Sequence, residues 1–96
     1  MDNIDVQVEE AIKLLEEVTG KPATRSWDML RRHGSIGMLE RLIRNATADV
    51  QSGFKALRSA NLLHKSFESI IVHNKELFEP IVVSAAQWRL DNADDL

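Results

Sequence analysis

Apolar residues recur along this chain in steps of three and four, with no sustained alternation in steps of two, a spacing that suits helices and does not suit half-buried strands. Ile4, Val8, Ala11, Ile12, Leu15 and Val18 form one such stripe, widened by Leu14, and the opposite face carries acids. Gly20 and Pro22 then predict an end near Thr19.

The same punctuation divides the rest of the chain. A short helix is expected from about Ser26 to His33, with Thr24 or Ser26 as its cap, Trp27 and Leu30 facing inward, and Gly34 as its stop. Ser35 is placed to cap a third helix that turns Ile36, Leu39, Leu42 and Ile43 inward and ends around Asn45. A fourth, from Thr47 or Asp49 to Ala60, carries Val50, Phe54 and Leu57 on one side, with Asn61 as a left-handed terminator. Gly53 inside it lowers helix propensity and suggests close approach of another backbone. A fifth helix starts after Ser66 and buries Phe67, Ile70 and Ile71, and a sixth runs from Pro80 to about Asp91. The expected architecture is all-α: residues 1–96 as one domain, a compact orthogonal bundle of five to six short helices.

At 96 residues such a bundle can hold a modest core without staples. The chain has no Cys, which excludes disulfides, thiol nucleophiles and thiolate zinc sites and suits a reducing, cytoplasmic setting. The longest apolar runs, Ile70-Ile71-Val72 and Ile81-Val82-Val83, fall far below the ~18 residues that cross a bilayer. The acidic opening Asp2-Asn3-Ile4-Asp5 is unlike a secretory signal.

The sixth helix stands out. At about 100° per residue, Ile81, Val82, Val83, Ala85, Ala86, Trp88 and Leu90 cover an arc of about 220°, wider than one packing face. Either this helix is central to the domain or part of its surface meets another chain, which makes Ile81, Val82, Ala85 and Trp88 the candidate interface.

Charge falls in three blocks. Residues 1–20 hold six acids against one base, residues 21–65 nine bases against three acids, and residues 66–96 two bases against six acids. A basic middle on helices is the electrostatic precondition for binding phosphates. Arg41, Arg44, Gln51, Lys55 and Arg58 are the candidates, with Gln51, Lys55 and Arg58 toward a groove and the other two toward the backbone. The competing reading is a solvated surface in which Asp28 pairs with Arg32 and Glu40 with Arg44 at four-residue steps. Two helix pairs could form a helix-turn-helix, at residues 53–73 and at residues 35–60. The first presents Glu68 and an apolar run where base-reading side chains would be needed.

Catalytic signatures are weak throughout. His33, His64 and His73 lack metal-ligand spacing and suit helix ends. Gly20-Lys21 lacks the remainder of a phosphate loop, and Gly34-Ser35-Ile36-Gly37 is not a nucleophile elbow. No catalytic, cofactor or metal set is therefore expected, and no membrane-surface helix. The leading expectation is a non-enzymatic protein-interaction or assembly module, including as a homodimer. The second is a helix-turn-helix-like nucleic-acid-binding domain.

Overall fold

Asn3 starts the first helix. Its Oδ1 accepts a hydrogen bond from the Val6 N–H at 3.0 Å, which satisfies one of the donors a helix start leaves open. In the computed structural model, which describes residues 3–45 and 48–95 and only the backbone of 48–51, this helix is α1, Ile4–Thr19. Gly20 closes it in the left-handed conformation at φ 69°.

Helix α2 covers Thr24–Arg44 but is interrupted at Gly34, where φ 72° and ψ 176° break the helical path. The residue expected to separate two helices thus does so, and the five helices become six helical segments when this break is counted. The cap at the start of α2 differs from the sequence expectation. Neither Thr24 nor Ser26 supplies it; Ala23 stands at the cap position, and Glu16 of α1 accepts from the Ala23 N–H at 2.8 Å and from the Trp27 indole N–H at 3.3 Å. A carboxylate from a neighbouring helix meets the positive end of the helix dipole more strongly than a local hydroxyl would. Ser35 is likewise diverted, donating its hydroxyl to Asp5 Oδ1 at 2.5 Å and so tying α2 to α1. Ile36, expected inside, is exposed, and Met38 takes the inner position beside Leu39 and Leu42.

Helix α3 is Ala48–Ser59, and Asn61 follows it at φ 61° as the left-handed residue. Gly53 admits a neighbour as expected, but a side chain rather than a backbone: a Cβ there would lie 3.3 Å from Leu15 Cδ1. Helix α4, Phe67–His73, is capped by Ser66, whose Oγ accepts from the Ser69 N–H at 3.2 Å. Helix α5, Pro80–Asp91, begins on the proline. Short 3₁₀ turns occupy Leu63–Lys65, Lys75–Leu77 and Ala93–Asp95, and no strand occurs among the described residues.

The expected all-α bundle is therefore present, with near-equal extents of 32 × 30 × 27 Å. Its centre is built from Val8 and Ile12 of α1, Met38 and Leu39 of α2, Ile71 of α4, and Val82 and Ala86 of α5. Helix α5 packs chiefly on α4. That contact decides which side of α5 is hidden.

Candidate interaction face on the last helix

Apolar residues cover about 220° of helix α5, more than one packing face, so its sequence does not say which part of that arc is buried. Packing on α4 and α2 buries Val82, Ala86 and Arg89. About 120° round the helix from these, Ile81 and Trp88 remain 66% and 57% exposed. Seven residues at about 100° each bring these two side chains to within about 20° of one line along the helix, about 10.5 Å apart. Between them lie exposed Ser84 and half-buried Ala85, both small. Leu77, four residues before Ile81 and 43% exposed, adds a further exposed apolar side chain at the start of the helix.

Of the four interface candidates, Ile81 and Trp88 are thus open, Ala85 lies between them, and Val82 is a core residue at 1% exposure. Sequence reasoning passed over Leu77 because it precedes the helix-starting Pro80. Helical spacing offers no signal for it, since extended Phe78 and Glu79 separate it from α5.

The hidden side holds the larger surprise. Arg89 lies on the wheel beside Val82, and its guanidinium enters the interior to meet Glu68 of α4, with Nε 2.9 Å from Oε2. The two side chains are only 10% and 4% exposed. The guanidinium carbon also stands 5.2 Å from the centroid of the Phe54 ring, a cation–π contact that links α5 to α3. The contact is an ion pair, and Arg89 Nη2 is buried without a hydrogen-bond partner among the described residues. Burial pushes the Glu68 carboxyl above its ordinary value, opposed by the Arg89 charge and by the backbone N–H of Glu68 itself.

Two of the basic candidates have partners within the chain. Arg44 pairs with Glu79 at 3.0 Å, rather than with Glu40 as the four-residue step suggested. Arg58 donates from Nη1 to the Ala93 carbonyl at 2.6 Å. Arg41 and Lys55 are exposed, and the side chain of Gln51 lies outside the described residues. Asp28 does pair with Arg32, at 3.1 Å, and with Arg31. Glu68, on the helix that would read bases in the first helix-turn-helix candidate, is buried.

His73 sits in the last turn of α4, and its Nδ1 lies 2.8 Å from the Ser69 carbonyl and 3.2 Å from Ser69 Oγ. Ser69 Oγ donates to the His64 carbonyl at 2.9 Å, so this serine and histidine serve the end of a helix, as expected of a helix-end His. Among the described residues no group of three or more His, Asp or Glu side chains is placed to hold a metal ion, and no helix is long and apolar enough to cross a membrane.

No family model, curated protein or solved structure matches this chain.

Proposed function

We propose that the chain is a small binding module that pairs with a second copy of itself through the outer face of α5. The observation that carries this reading is the exposed, aligned pair Ile81 and Trp88. Single exposed apolar residues are ordinary, but a Trp and an Ile on one line of one helix form a contiguous strip.

The strip is also self-complementary. A two-fold axis midway between Ser84 and Ala85 would set a second α5 antiparallel to the first, each Ile81 meeting the other's Trp88. The small side chains at the centre would let the helices approach at the 8–10 Å typical of helix pairs. One helix face falls short of the ~800 Å² per partner of a standard interface, so association in the micromolar range or weaker is expected. Nucleic-acid binding has less support, because Arg44 and Arg58 already hold Glu79 and Ala93.

Sedimentation velocity over a wide concentration series tests the proposal. The wild-type coefficient should rise with concentration while Trp88→Ser stays monomeric with unchanged helicity. A wild-type chain that remains monomeric at every concentration refutes it.

A further inference from the structure

We propose that the cleft between α1, α2, α3 and α4 is a binding site for a small amphipathic anion, a carboxylate carried on an alkyl or aryl body. The cleft encloses about 330 Å³, within the size range of small-molecule sites. At about 30 Å³ each, the volume of a water molecule in the liquid, that is room for on the order of ten non-hydrogen atoms. The site lies apart from the outer face of α5 and shares no residue with it.

Its walls are apolar: Leu15 from α1, Leu42 from α2, Phe54 and Leu57 from α3, and Phe67 from α4. Gly53 contributes to the opening, since α3 has no side chain there where it faces Leu15. Such walls favour a hydrocarbon or aromatic body, which would leave water on entering.

Charge selects the head group. The one acid among the lining residues is Glu68, and its carboxylate is countered by Arg89 at 2.9 Å, so the pair contributes little net field. The rim adds two cations, Arg41 and Arg25, both exposed and both on α2. Arg25 is already engaged within the chain, so Arg41 is assigned the leading role. Ser26 and Asn45 add polar groups at the same rim. A ligand cation would meet two like charges there, while a carboxylate would meet guanidinium donors suited to it in shape and charge. The ligand would lie with its body among the aromatic rings and its carboxylate at the mouth.

Octanoate, with ten non-hydrogen atoms, is the probe, and octanol is its uncharged counterpart. A nitrogen–proton NMR titration of the full chain should show saturable shifts around Arg41, Gly53, Leu57 and Glu68. Arg41→Glu should weaken octanoate at least tenfold, octanol should bind at least fivefold more weakly than octanoate, and Ser26→Trp, which fills the cleft from its rim, should abolish the effect. Trp88→Ser should leave octanoate binding unchanged, which separates this site from the outer face of α5. The proposal is overturned by shifts confined to residues 81–88, by an octanol affinity equal to that of octanoate, by indifference to Arg41→Glu, or by no saturable shift at all.

Discussion

The two sides of α5 invert the usual rule. Its one cation, Arg89, points into the protein, while its largest apolar side chain, Trp88, points out. The adjacent residues differ in what lies across from them. Arg89 has Glu68 and Phe54 as partners inside the fold, and Trp88 is left 57% exposed. Taking an arginine and a glutamate out of water is costly, and their mutual attraction offsets this only in part. A helix with a buried charge pair on one side and an open tryptophan on the other has two separate tasks: the inner side fixes where α5 sits, and the outer side is available for contact.

The largest expected effect comes from breaking the inner side. Arg89→Met leaves Glu68 buried without its counter-charge and should cost about 3–5 kcal/mol in urea unfolding. Adding Glu68→Leu to that variant should restore stability to the wild-type level or above it, because the apolar pair no longer needs desolvation of charge. Failure of the double variant to recover would mean that the pair contributes more than mutual compensation. Val82→Ala, in the core on the same side, should cost about 2 kcal/mol through lost burial and the cavity left behind.

A smaller effect should appear with pH. Burial in the folded state raises the Glu68 carboxyl above its ordinary value of 4.5, so folding favours its protonated form. Its contribution is therefore most favourable below that value, declines as pH rises toward the raised folded value, and is constant beyond it. Chemical denaturation at a series of pH values should show wild type losing stability relative to the Glu68→Leu, Arg89→Met double variant over that window. A relative gain with rising pH would mean that Arg89 outweighs burial. Smallest of all, Trp88→Ser should change monomer stability by no more than about 0.5 kcal/mol, as expected of an exposed position. A larger loss in dilute solution would show that the outer side serves the fold after all.

Most of the architecture was legible in the sequence because it depends on local rules. Gly20 and Gly34 stop helical segments at positive φ, Asn61 is the left-handed terminator expected of it, Ser66 caps α4, and Pro80 opens α5. What escaped is long-range. Glu16 replaces the local cap of α2, Ser35 turns to Asp5, and Arg44 chooses Glu79, a residue 35 positions away. Each of these contacts depends on where helices meet in space, which spacing along one helix does not encode. The candidate face was half legible: the broad apolar arc of α5 drew attention to Ile81 and Trp88, but the same arc included Val82, which the core takes. Arg89 could be located beside Val82 on the wheel, yet its burial required Glu68 and Phe54 from two other helices.

The most direct test of the division within α5 uses the absence of cysteine from the chain. Ser84→Cys places a thiol beside the proposed two-fold axis, where two such residues come within the 4.4–6.8 Å between Cα atoms that a disulfide spans. Under mild oxidation this variant should form a covalent dimer much faster than Lys21→Cys, whose thiol would be exposed on the α1–α2 connection. Equal rates for the two variants would contradict the account.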